Sequence, residues 1–159
     1  MNRIDAKFRK LKQEKKSAFI PYICGGDPNL DITRKLVLTL DKAGADIIEL
    51  GVPFPDPIAD GPTIQKASER ALENGVTLSQ LLQLVADLRA ETDVPIVLMG
   101  YYNPIFVMVL EEFFTKARSV GVDGIIIPDL PIEESDPIQR FSAQYDIKVV
   151  FLVAPTSTV

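Results

Sequence analysis

Short, continuous apolar runs alternate along this chain with longer stretches of helical period, and that alternation is what most constrains its fold. An apolar run with no polar alternation is a strand covered on both faces, the kind found in parallel sheets built from βα units. Five such runs are present: Phe19–Cys24, Asp46–Leu50, Ile96–Tyr101, Gly124–Ile127 and Val149–Val153. Each has strand length, and β-branched residues are prominent in several.

The helical stretches lie between them. In Thr77–Ala90 the residues Leu78, Leu81, Leu82, Val85 and Leu88 form one stripe, and Thr77 with Gln80 makes a capping box ahead of it. Leu30–Ala43 ends at Gly44, Glu111–Val120 ends at Gly121, and Glu133–Tyr145 follows Pro131. An amphipathic segment, Ile4–Lys15, precedes the first run and is expected across one end of the sheet. The long interval between the second and third runs has room for an extra helix.

Gly44-Ala45-Asp46-Ile47-Ile48 is echoed by Gly121-Val122-Asp123 and the apolar run after it, which reads as a repeated βα unit. A closed eight-stranded barrel takes around 250 residues, so 159 residues with five units form one domain, either an open α/β sheet or an incomplete barrel. The sequence stops at Val159 soon after the fifth run, with no helix to follow it. The natural chain is therefore expected to be longer.

Composition removes whole classes of chemistry. There is no His, one Cys and no Trp, so Ser-His-Asp and Cys-His triads, His-ligated metals and cysteine-cluster zinc are all excluded. Acid–base work falls to Asp, Glu, Tyr or Lys. A formal charge of −5 with no long basic run offers nothing to nucleic acid or an anionic membrane. The most apolar stretch, Val94–Leu110, is interrupted by Pro95, Gly100, Asn103 and Pro104 and is too short to span a bilayer. Cys24 has no internal disulfide partner and the first residues lack an apolar signal core, so a reducing, cytoplasmic compartment is expected.

Two carboxyl groups stand out. Glu49 lies inside Ile47-Ile48-Glu49-Leu50, where alternation sets it on the face opposite Ile48 and Leu50. Burial there favours the protonated acid and moves it toward the range of a general acid–base. A strand-end Glu, partly in water or paired with a Lys, is the other reading of the same position. Directly after it, residues 51–63 carry four prolines and two Asp, a stiff, long connection at a strand's carboxyl end, where α/β folds build their sites. Asp60 is the second candidate, although Asp before Gly is also a turn signal or a helix cap. Asp27-Pro28, Tyr101-Tyr102-Asn103-Pro104 and Asp129-Leu130-Pro131 occupy the same rim, each with a turn-making reading.

Taken together, Phe19-Ile20-Pro21-Tyr22 with Gly26-Asp27-Pro28, then Ile48–Phe54, Asp56-Pro57 and Ala59–Gln65, resemble the alpha subunit family of tryptophan synthase. Met99–Pro104, Gly121–Gly124 and Pro128–Pro131 with Glu133-Glu134 match the same family in order. The resemblance covers essentially the whole chain and implies a (β/α)8 barrel, here an incomplete one of about five parallel strands with flanking helices. It also implies a lyase of tryptophan biosynthesis that cleaves indole-3-glycerol phosphate to indole and glyceraldehyde 3-phosphate. In that family Glu49 corresponds to the acid–base and Asp60 to the carboxylate that accepts the indole N–H. Tyr22 and Tyr101 correspond to positions at the substrate, and Pro53, Asp56 and Asn103 to surfaces facing a beta subunit. The resemblance further implies an alpha2-beta2 assembly, pyridoxal phosphate only in the beta subunit, and no cofactor or metal in this chain. Phosphate-binding loops follow later strands in the family, and Pro55 stands where it commonly has Ser. The alternative from another class is an open flavodoxin-like α/β binding module without catalysis.

Overall fold

The computed structural model describes residues 1–155. Its elements are α1 (Arg3–Glu14), β1 (Tyr22–Cys24), α2 (Leu30–Lys42), β2 (Ile48–Gly51), α3 (Pro62–Glu73), α4 (Leu78–Leu88), β3 (Ile96–Met99), α5 (Tyr102–Val107), α6 (Leu110–Val120), β4 (Gly124–Ile126), α7 (Asp136–Tyr145) and β5 (Lys148–Val150). The five strands are all parallel and lie in chain order, β1-β2-β3-β4-β5. A flavodoxin-like sheet runs 2-1-3-4-5, with helices on both faces. The sequential order instead winds every crossover the same way and leaves a concave face, which makes this a partial barrel.

The register separates the two faces. Ile48, Leu50, Ile96, Leu98 and Ile125 join Val37, Leu81, Val85, Leu88, Phe113, Phe114 and Ile138 in one large core under the helices. On the concave face Tyr22 aligns with Glu49 and Val97 across β1, β2 and β3. A small second cluster, Ile4 with Ile47, Val97 and Ile126, fills the amino-terminal end of that face beneath α1. The N-terminal helix thus lies across the sheet end as expected, and the Asn2 amide pins it by donating to the Asp123 and Asp146 carbonyls, each at 2.8 Å.

The echo between the two Gly-x-Asp segments is structural. Gly44 and Gly121 end their helices with φ of 96° and 87°, a backbone that glycine adopts without Cβ strain. Two residues later, the Asp46 N–H donates to the Phe19 carbonyl while its carboxylate accepts from the Phe19 N–H. Asp123 repeats this with Ile96, in both directions at 3.0 Å. Each Asp ties the entry of its strand to the strand before.

The strands are shorter than the apolar runs. Pro21, with no N–H for the ladder, delays β1 to Tyr22, and Phe19 and Ile20 are exposed. In the run Ile96–Tyr101, pairing ends at Met99 and Tyr101 instead becomes the N-cap of α5, an unexpected helix. The fifth strand begins one residue early, at Lys148, and Leu152 and Val153 are exposed. The stretch Glu133–Tyr145 divides into a short 3-10 turn, Ile132–Glu134, and α7, because Pro137 cannot continue the hydrogen-bond ladder across Ser135. The extra helix of the long interval is α3. Of the terminal segment, residues 156–159 lie outside the described residues.

Candidate active site

Because all five strands are parallel, the loops that follow them gather on one rim; Asp60 stands there, and Glu49 lies on the strand that leads into it. Glu49 is the second residue of β2, on the concave face beside Tyr22. It is half-buried, less than a strand covered on both faces would make it, because five strands leave the upper part of the concave face open to solvent. Even so, burial alone raises its pKa above the ordinary carboxylate value. Tyr22 leans across β2 over Gly51, where any Cβ would overlap the phenol ring, so glycine is required for that approach. The Tyr22 phenol is pushed up mainly by burial, with smaller contributions from the acidic groups of Cys24, Asp60 and Glu49. Tyr22 thus stands beside Glu49 across the β1–β2 register.

The connection after β2 is pinned at several points. The Val52 N–H donates to the Met99 carbonyl at 2.7 Å and the Phe54 N–H to Ser68 Oγ at 3.1 Å. Phe54 stacks on Tyr101 with ring centroids 4.9 Å apart. Asp60 closes a turn by donating its N–H to the Pro57 carbonyl at 3.0 Å, as Asp-Gly suggests. It does not cap α3. The N-cap is Gly61, with no side-chain hydrogen bond, while Gln65 Nε2 donates to the Asp60 carbonyl at 2.9 Å. The Asp60 side chain is left for the rim, where Oδ2 accepts from the Tyr101 hydroxyl at 3.1 Å.

Tyr101 is buried, 4% exposed, so it offers little surface of its own to a substrate. Burial, followed by the neighbouring Asp60 carboxylate, raises its pKa. Asp56 and Asn103 are exposed on the rim, whereas Pro53 is buried beneath it. The other rim acids hold structure: Asp27 accepts a two-pronged bond from Arg70 at 2.7 and 2.8 Å, and Asp129 accepts from the Tyr102 N–H at 2.9 Å. Phe54 and Ser68 escaped the sequence reading as site residues. Phe54 stood within the matched motif, but its stacking partner is far away in sequence and no local signal marked it.

Among the described residues no three His, Cys, Asp or Glu side chains assemble as a metal-binding group, and no helix is long and apolar enough to cross a membrane.

The family model for tryptophan synthase alpha chains matches residues 8–159. The tryptophan synthase alpha chain of Clostridium kluyveri is 49% identical over 157 residues, which are 99% of this chain and 60% of that one. The crystal structure of the alpha subunit from Legionella pneumophila superposes with a TM-score of 0.97 at 42% identity, covering 99% of this chain and 61% of its own. A Pyrococcus furiosus structure described as the tryptophan synthase α2β2 complex, with mutual activation, superposes at 0.85 with 43% identity, covering 89% of this chain and 58% of that one. The chain spans about 60% of the length of the curated relatives it matches. With a family match over nearly all its residues, on a sheet order that suits it, the chain belongs to the tryptophan synthase alpha chain family.

Proposed function

We infer that the carboxyl pair performs, or forms the catalytic half of, the retro-aldol cleavage of indole-3-glycerol phosphate. The observation that carries this reading is the contrast between the two groups. Glu49 is a strand carboxyl whose pKa is raised by burial, and Asp60 is a rim carboxylate free of any capping duty. Two acids in different environments take different roles. Protonated Glu49 delivers its proton to C3 of the indole ring, and the resulting cation is stabilised by the Asp60 carboxylate accepting the indole N–H. Glu49, now a carboxylate, takes the proton of the glycerol hydroxyl as the carbon–carbon bond breaks, so that a carbonyl forms and the bonding electrons return to the ring. The proton given and the proton taken balance, and indole and glyceraldehyde 3-phosphate leave.

In this reading Tyr22 lines the aromatic end of the pocket beside the edge of Tyr101, and the chain uses no cofactor or metal. Pyridoxal phosphate belongs to a beta chain. Docking of that chain in an alpha2-beta2 assembly is supported by exposed apolar residues Ile58, Phe106, Val107 and Val109 around Asp56 and Asn103, with buried Pro53 shaping the loop beneath. A cytoplasmic location accords with the unpaired Cys24.

The test measures indole release from indole-3-glycerol phosphate with saturating beta chain, for the parent, Glu49→Gln and Asp60→Asn. Each substitution is expected to lower the rate by about 10²–10⁴-fold. Parental rates in either variant would overturn the assignment.

A further inference from the structure

We propose that Tyr101 is a positioning residue that sets the Asp60 carboxylate and links it mechanically to the exposed arch of the same loop. The proposal rests on the reading of Asp60 as the indole-facing carboxylate. Two consecutive residues grip one phenol oxygen. The Ala59 N–H donates to it at 2.9 Å, and it stands 3.1 Å from Asp60 Oδ2. A hydroxyl has one proton, and with the Ala59 N–H occupying an acceptor lone pair, that proton is directed to Oδ2. The backbone before Asp60 and the side chain of Asp60 are thereby held together. Among the described residues Oδ1 accepts no hydrogen bond, which leaves it to a ligand.

The tyrosine itself is firmly planted. Its neighbour Gly100, one residue past β3, donates to the Ile126 carbonyl at 3.0 Å, and the ring sits in a crevice with Val52, Leu98 and Ile105. On the loop side the ring stacks against Phe54 at an interplanar angle of 22°. The loop is thus attached to one side chain at both ends, Phe54 on the ring and Ala59-Asp60 on the hydroxyl. Between those attachments Pro55, Asp56 and Ile58 arch into solvent.

Tyr101→Phe removes one oxygen and keeps the ring. With saturating beta chain it is expected to lower kcat by about 10- to 100-fold while KM stays within about twofold, the signature of a misplaced catalytic group and not of a lost substrate contact. In the Asp60→Asn background the same change should bring no further loss, because the two residues act as one unit. Hydrogen exchange at the Ala59 amide, read by NMR without substrate, should quicken at least about tenfold while Leu98 stays protected.

Unchanged kcat beside a crippled Asp60→Asn variant overturns the positioning role and leaves the proposed function standing. A rise in KM alone overturns it as well, since Tyr101 would then contact substrate directly. Parental cleavage by Asp60→Asn overturns both readings. Where no variant cleaves, the exchange measurement decides: faster Ala59 exchange supports the anchor and unchanged exchange overturns it.

Discussion

Ionising Glu49 on β2 forfeits water that the unfolded chain keeps, and burial therefore raises its pKa from the ordinary 4.5. The folded protein then binds this proton more tightly than the unfolded chain does. By linkage, the stabilisation from the protonated group is complete below the unfolded value of 4.5 and is lost as pH rises through the folded one. Glu49→Gln removes the titration. The variant should melt above the parent at pH 7 with a margin that disappears by about pH 4, even as the proposed cleavage is lost. Thermal melts across that range check this. A margin independent of pH would show that the carboxyl bears no burial cost. The position was legible because a charged residue inside an apolar run is rare, but its half-burial was not, since alternation gives a side and not how far that side is covered.

Among the elements, the two aspartates at the strand entries look alike in sequence but differ in consequence. The Asp123 side chain is buried and accepts from Arg89 at 3.0 Å, Arg3 at 3.1 Å and the Ile96 N–H at 3.0 Å. The Arg89 side chain is 12% exposed and spends its remaining donors on the Gly121, Thr92 and Val94 carbonyls. Asp46 is partly exposed, with Lys7 at 3.5 Å and the Phe19 N–H at 2.9 Å. Asp123→Ala takes the carboxylate from a largely buried guanidinium and should cost about 3 kcal/mol. Asp46→Ala removes one backbone acceptor and should cost only about 1 kcal/mol. Urea unfolding of both variants measures the difference, and equal losses would contradict the burial argument. A third unit with the same backbone escaped the sequence pattern: Asp146 takes the left-handed place of Gly44 and Gly121 with φ 52°, and Ile147 is buried after it. It was missed because an Asp can adopt that conformation without spelling glycine.

At the scale of the whole molecule, the rim that bears Asp60 also bears exposed apolar residues. Phe106 is 62% and Val107 73% exposed, on α5 directly beyond Tyr101, with Ile58 on the neighbouring loop. If the proposed docking of a beta chain uses this surface, a charge placed there should weaken it without disturbing the core. Phe106→Asp is expected to raise the Kd by about tenfold or more while the melting temperature stays near the parent's. Titration calorimetry and melts measure the two quantities. Undiminished affinity would move the docking surface elsewhere.

By itself the sequence determined the βα alternation, the helix caps at Thr77 and Gly121, the strand-entry aspartates and the candidacy of Glu49. These follow from periodicity and capping, which act within a few residues along the chain. The strand order, the open concave face and the surroundings of Asp60 were decided only by tertiary structure. Asp60 could be read from its neighbours as a turn former or a helix cap, and the turn is there. What frees its carboxylate for the rim is a hydroxyl 41 residues away, delivered by the parallel pairing of β2 with β3. A contact at that separation has no local periodicity to announce it, because it exists only once the sheet has brought the two loops to the same end.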